Sequence, residues 1–352
     1  MSKCEIDFKC GSLIVIPHRK FSRAELKSHI EEFSSRPTIS QSHAEMLRAQ
    51  FSVVRQHWNV NLPVEALDPS IRNQNRLARI AAIAGDRVQL LFSKEPTDKD
   101  DYFSDGFWYH YRSEDVHPLM WSHTVGVNIV GGHPSDFCVK LSPEHFPTWP
   151  SDKVQVKTGM KFEARHPTEP QSLVAAHVVE VFEYGYFLAE TLEKDSYTRY
   201  RSLFHVTSPY VLPLGFGKRH GIDIDHKPDF YDNAETCALA VDQLPPVSYY
   251  IVNAMFIFLS SPMFMFQRPS HKFKVGLKIE AFDEIDLAYM GPATIQKIAG
   301  HLLLIHFDGW KKSIAGNYQW MDAESPDICP PGYAQLCGFF FQGPVMPPEE
   351  IQ

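Results

Sequence analysis

Residues 330–338 read PPGYAQLCG, with a proline first, an aromatic three residues on and a glycine eight residues on. The same frame occurs as PLMWSHTVG from Pro118 and as PLGFGKRHG from Pro213. Each copy also has a matching start upstream: VEALD with Glu65, FEARH with Glu163 and IEAFD with Glu280. The glutamate-to-proline separations are 53, 50 and 50 residues. Self-similarity at a near-constant spacing marks three copies of one structural unit.

Between start and end, the third copy offers ATIQKI (293–298), a turn at Gly300-His301 and LLLIHFD (302–308). The first offers LARIAAI (77–83), a turn at Gly85-Asp86 and RVQLLF (87–92). Short runs with β-branched residues, bounded by glycine and polar turns, predict antiparallel strands, so each core is a small β-barrel or sandwich. Ahead of the cores the pattern turns helical. SRAE (22–25) and SHAE (42–45) carry capping-box spacing, and Leu47, Phe51, Val54 and Trp58 follow at spacings of 4, 3 and 4, which places them on one helical face.

The repeats predict a short N-terminal tail (1–21), repeat one at 22–130, repeat two at 131–225, repeat three at 226–345 and a C-terminal tail at 346–352. One interval breaks the period. From Gly126 to Glu163 is 37 residues, whereas from Gly221 to Glu280 is 59, a surplus of 22. The apolar stretch 247–267, which begins VSYYIV and ends FMFQ, is 21 residues long and its removal restores the spacing. Its ends, Val-Ser and Phe-Gln, are compatible with splice-donor and splice-acceptor codons. Two readings stand: an unspliced in-frame intron, or an unusual apolar insert that serves as a loop or partner-binding segment.

Composition narrows the function classes. The chain has 352 residues, 44% hydrophobic and 13% aromatic, enough apolar material to fill two or three domain cores. A formal charge of −8 argues against a global field for phosphate neutralisation, so direct nucleic-acid binding is expected to be absent or weak, and an acidic reader of basic peptides fits better. The six cysteines form no CxxC pair and the seventeen histidines no HExxH, so we expect reduced thiols, no metal and no cofactor. No nucleophile elbow or phosphate loop argues for an enzyme. MSKCEIDFKC lacks the layout of a secretory signal, and the longest apolar stretch is interrupted by Asn253, Ser260, Ser261 and Pro262, which argues against a membrane span.

GLKIEAFD (276–283), HFDGW (306–310), WMDAESPDI (320–328) and PPGYAQLCG (330–338) resemble the malignant brain tumour repeat, a chromatin-reader module. The likeness is specific in repeat three, fair in repeat one and degraded in repeat two. It implies a mainly β fold with helical arms: tandem repeats, each a helical or extended arm plus an SH3-like β-barrel core. It further implies binding of mono- or dimethyl-lysine on histone tails, of H3 or H4, a role beside chromatin-repressor proteins, and a nuclear location.

Carried over residue by residue, the resemblance places the pocket acid at Asp283, the first cage aromatic at Phe307, 24 residues on, and the second at Trp310. Asp286 stands where the family often has Asn. The family's third aromatic position is Ile314 here, which leaves Tyr318 as the candidate replacement. Repeat one keeps Asp68 and, 24 residues on, Phe92, but Glu95 stands where the tryptophan belongs; Tyr102, Phe103 and Trp108 are the candidates to close a second pocket. Repeat two has His166 in place of the acid and AETLE (189–193) in place of HFDGW, with Tyr200 at the third aromatic position, and is expected to be structural. The alternative to a reader is a scaffold whose repeats bind a partner complex through their surfaces.

Overall fold

The computed structural model describes residues 41–69, 71–93, 106–131, 146, 156–194, 199–232, 237–239, 271–285, 290–308 and 317–339. The insert 247–267, the SRAE stretch and both expected tails lie outside them. Three curled antiparallel sheets follow one another along the chain, and each has the same strand order. The first contains β1 (Pro63–Leu67), β2 (Asn75–Ala84), β3 (Arg87–Phe92), β4 (Phe107–His110) and β5 (Val116–His117), ordered β4-β3-β2-β1-β5. After it come helix α2 (Trp121–Val125), preceded in the chain by α1 (Gln41–His57), and β6 (Ile129–Val130), which pairs with β2.

The second sheet contains β7 (Lys161–Arg165), β8 (Leu173–Val181), β9 (Tyr186–Thr191), β10 (Arg201–His205) and β11 (Val211–Leu212), followed by α3 (Phe216–His220) and β12 (Ile224–Asp225). The third contains β13 (Lys278–Phe282), β14 (Met290–Ala299), β15 (Leu302–Phe307), β16 (Tyr318–Asp322) and β17 (Ile328–Cys329), followed by α4 (Tyr333–Cys337). The long second strand of each sheet carries a bulge at the same place, between Ile80 and Ala82, Val178 and Glu180, and Ile295 and Lys297. An extra residue there bends the strand and raises its twist, which curls the sheet toward a barrel.

The repeated glutamates explain the repeated endings. Glu65 accepts the backbone N–H groups of Met120 (2.6 Å) and Ser122 (2.7 Å), Glu163 those of Gly215 (2.7 Å) and Gly217 (2.8 Å), and Glu280 those of Gly332 (2.7 Å) and Ala334 (2.9 Å). Each carboxylate sits on the strand next to the edge of its sheet, buried, and satisfies donors at the start of a short helix that the helix itself cannot pair. The final glycine of the frame is the helix C-cap in the left-handed region, at φ 92° for Gly126, 62° for Gly221 and 81° for Gly338.

The aromatic of the frame faces the neighbouring repeat. Trp121 meets Tyr186 of repeat two edge-on at 4.8 Å. Phe216 packs near His301 and the Gly300 turn of repeat three. Tyr333 donates its hydroxyl to Asp86 in the β2–β3 turn of repeat one. The β2–β3 turn of repeat one thus docks on the short helix of repeat three, that of repeat three on repeat two, and that of repeat two on repeat one. This head-to-tail contact closes after three steps, the condition for a ring rather than an open filament.

Ion pairs and apolar clusters reinforce each junction. Arg87, fully buried, pairs with Asp327 (2.5 Å) and lies 3.8 Å over the Phe282 ring between repeats one and three. Arg165 pairs with Glu284 and lies 3.5 Å over Tyr210 between repeats two and three. Leu173, Leu212 and Phe216 pack with Ala299, Leu302 and Trp320 at the same junction. Helix α1 spans two cores. Leu47 and Phe51 enter the repeat one–three junction with Trp108, Phe282 and Tyr333, whereas Val54 and Trp58 enter the core of repeat one. The stripe expected from the 4, 3, 4 spacing is buried along its length, although the helix already includes Ser42, and Glu45 takes a hydrogen bond from Gln41 (3.1 Å).

Candidate binding site

The site is built from the loop after the first strand of a sheet and the end of its third strand. In repeat three β13 runs into Asp283, and Asp283 stays half-buried. Its Oδ1 accepts the backbone N–H of Ile285 (2.8 Å), an Asx-type turn, and the Nε2 of Gln319 (2.7 Å). Gln319 is itself buried in β16 and accepts the N–H of Glu284 (3.0 Å), so one amide side chain fixes the loop and orients the carboxylate. Phe307 ends β15 opposite Ala293 and is buried with Ile279, Ile305 and Met321.

Tyr318 stands elsewhere. The register pairs it with His306, and its ring lies 4.6 Å from that imidazole. Cross-strand partners share a sheet face and successive residues alternate. Phe307 and Gln319 therefore belong to one face, and Tyr318 with His306 to the other. Asp286, Trp310 and Ile314 lie outside the described residues.

In repeat one Asp68 is buried, at 1% exposure, and forms an ion pair with Arg76 (3.6 Å). Phe92 meets Phe107 at 6.0 Å, the two rings at 61°. Trp108 points to the other face of β4 and packs on Phe339 of repeat three, 5.0 Å away and edge-on. The structure brings Phe107, not Trp108, to Phe92; alternation along FWYH would have separated the two from the sequence. Tyr102 and Phe103 lie outside the described residues.

In repeat two His166 occupies the acid position, buried, with Nε2 2.6 Å from Glu193 and its ring 4.8 Å from Tyr200. Its Nδ1 accepts the N–H of Glu169 (3.0 Å). The site is filled by the repeat's own side chains. Arg76, Glu193 and Gln319 were not singled out from the sequence. Each acts through a cross-strand or loop contact that residue spacing does not express.

Among the described residues, no group of three or more His, Cys, Asp or Glu could hold a metal ion, and no helix is long and apolar enough to cross a membrane.

The sequence pattern of the mbt repeat family matches residues 63–131, 160–231 and 277–350, more than half of the chain. The Polycomb protein Sfmbt of Drosophila pseudoobscura pseudoobscura is 30% identical over 318 residues, which is 83% of this chain and 23% of that protein. The human MBT domain-containing protein 1 is 28% identical over 325 residues, 88% of this chain and 46% of that protein. The chain thus spans less than half the length of these relatives. Among solved structures, the four MBT repeats of Drosophila melanogaster Sfmbt, in complex with a peptide carrying a methylated lysine, align with a TM-score of 0.64 at 23% identity, covering 93% of this chain and 77% of that one. This last likeness concerns the fold.

Proposed function

The chain belongs to the MBT repeat family, and we propose that it is a non-catalytic, nuclear chromatin reader in which repeat three captures mono- or dimethyl-lysine of histone tails, of H3 or H4. Asp283 supplies the acid, and Phe307 and Trp310 the aromatic walls. Its role, on this reading, is transcriptional repression together with chromatin-repressor proteins.

The observation that carries the reading is accessibility. At the three equivalent positions, Asp68 is buried on Arg76, His166 is buried on Glu193, and Asp283 keeps solvent access while its carboxylate is oriented by Gln319. A methylated ammonium is cationic and poorly hydrated, so aromatic walls add about 0.5–2 kcal/mol of cation–π attraction. A mono- or dimethyl-lysine retains an N–H to donate to the acid, a charge-assisted bond of about 1.5–3 kcal/mol, and trimethyl-lysine has none. Lower methylation states are therefore preferred. The relative solved with a methylated peptide is consistent with this chemistry.

The placement of Tyr318 on the face opposite Phe307 favours a second reading, a scaffold that binds a partner complex without reading lysine methylation. Calorimetric titration of unmodified, mono-, di- and trimethylated H3 and H4 peptides separates the two. Selective binding of the lower methylation states, lost in Asp283→Ala, supports the reader. Equal and negligible binding of all peptides supports the scaffold.

A further inference from the structure

The three repeats close around a cavity of about 280 Å³ that is distinct from the repeat-three pocket, lined by side chains of all three repeats. Its size approaches the lower end of small-ligand sites and is far more than one water needs. Two neighbours in β4 line it, Trp108 and Tyr109, both almost wholly buried. The indole Nε1–H of Trp108 and the hydroxyl of Tyr109 have no hydrogen-bond partner among the described residues. The Tyr109 hydroxyl lies within the fields of Arg72 and Asp115, which also line the cavity. Buried donors of this kind are normally satisfied.

Among the described residues, one carboxyl at the cavity has no ion-pair partner. Asp115 pairs with Arg72 (3.5 Å), Glu284 with Arg165, and Asp327 with Arg87. Glu114 is the remaining carboxyl, and its hydrogen-bond partner among the described residues is a neutral one, the Ser208 hydroxyl at 3.3 Å. Protein encloses Glu114, yet its side chain keeps accessible surface, because it faces the cavity.

We propose that this inter-repeat cavity is a second ligand site, which takes a guanidinium or ammonium group on Glu114 and an accompanying carbonyl oxygen on the Tyr109 hydroxyl, with the Trp108 indole as a nearby reporter on the cavity wall. A basic residue within a peptide carries both groups, three atoms of backbone and a flexible stem apart. A neutral apolar side chain would offer the Glu114 carboxyl no polar partner. A free diamine would leave the Tyr109 hydroxyl unpaired. Burial, followed by the charge of Asp115, pushes the Glu114 carboxyl up to about 8, against the opposing pull of Arg72 and Arg165 and of the Ser208 hydroxyl. A cation that enters therefore displaces a proton from this group.

The test is an NMR titration of the full chain, ¹⁵N-labelled, with the Trp108 indole N–H assigned by Trp108→Phe. The probes are argininamide, putrescine as a cation without a carbonyl, and norleucinamide as a carbonyl without a cation. Argininamide is expected to shift the Trp108 indole signal saturably, with weaker binding of both others. Glu114→Gln, nearly isosteric, is expected to weaken argininamide by about tenfold or more while methyl-lysine peptide binding at repeat three is unchanged. Calorimetry in buffers of different ionisation enthalpy is expected to register proton release in the wild type and none in Glu114→Gln. No saturable shift with argininamide, or equal shifts with norleucinamide, overturns the proposal, as does undiminished binding by a folded Glu114→Gln. Should Glu114→Gln fail to fold, the wild-type comparison of the three probes decides alone.

Discussion

Replacing Glu163 by glutamine tests the device that sets the geometry of each repeat. Glu163 Oε1 accepts the Gly215 N–H (2.7 Å) and the Tyr231 hydroxyl (2.8 Å), and Oε2 accepts the Gly217 N–H (2.8 Å). All three donors offer hydrogens, so a glutamine can satisfy those on one side and must turn its own NH₂ toward the other. With the amide oxygen at the Oε1 position, the Gly217 N–H loses its acceptor in a buried setting, which costs about 1–3 kcal/mol. The two remaining bonds fall from charge-assisted to neutral strength, roughly half as strong. Relief of the buried charge offsets part of this, and the expected loss is about 3 kcal/mol. Because three linked repeats need not unfold in one step, a local readout accompanies chemical denaturation: hydrogen exchange at the Gly215 and Gly217 amides should accelerate by about a hundredfold, the equivalent of that energy in a locally opening unit. A loss below about 1 kcal/mol with unchanged exchange at both amides would refute the carboxylate's structural role.

Acid should act at the repeat one–two junction. Burial, and for His117 the nearby His205, pushes His117 down to about 3 and His205 down to about 4 from an ordinary 6.5. Both are neutral in the folded state, so the unfolded chain binds more protons below 6.5 and stability falls as pH drops from there toward 4. At about 1.4 kcal/mol per unit, each should contribute a loss of about 3 kcal/mol over that window. His117→Phe should flatten the slope of stability against pH between 6.5 and 4, measured by denaturant midpoints.

Gly217→Ala should destabilise repeat two by about 1–3 kcal/mol, since a Cβ there would overlap the Ile224 side chain and lie 2.7 Å from the Ile222 carbonyl oxygen; thermal unfolding checks it. Asp283→Asn should weaken dimethyl-lysine peptide binding by about ten- to a hundredfold without loss of fold, read by calorimetry beside circular dichroism.

Much of the architecture was legible because each repeat writes its local rules into the chain. The Glu-to-Pro spacing is the distance from a buried carboxylate to the donors it holds. The glycine eight residues after the proline marks a left-handed C-cap, and the short β-branched runs at 77–83 and 293–298 became β2 and β14. The site was less legible. The resemblance placed the pocket acid at Asp283, but Gln319, which hydrogen-bonds it, stands on β16, a strand that does not pair with β13, and lies 36 residues away. Trp108 fitted a wall of the repeat-one pocket by composition and distance, whereas strand alternation turns it to the junction with Phe339.

The sequence by itself determined that there are three like units, where their strands turn and which acids begin them, because those features depend on backbone conformation and on periodicities of two and 3.6 residues. Only the tertiary structure decided that the turn of each repeat docks on the short helix of another, that the ring closes, and that a cavity remains at its centre. Those outcomes depend on pairings such as Arg87 with Asp327, some 240 residues apart, and on which face of a strand meets a neighbour, neither of which a local pattern encodes.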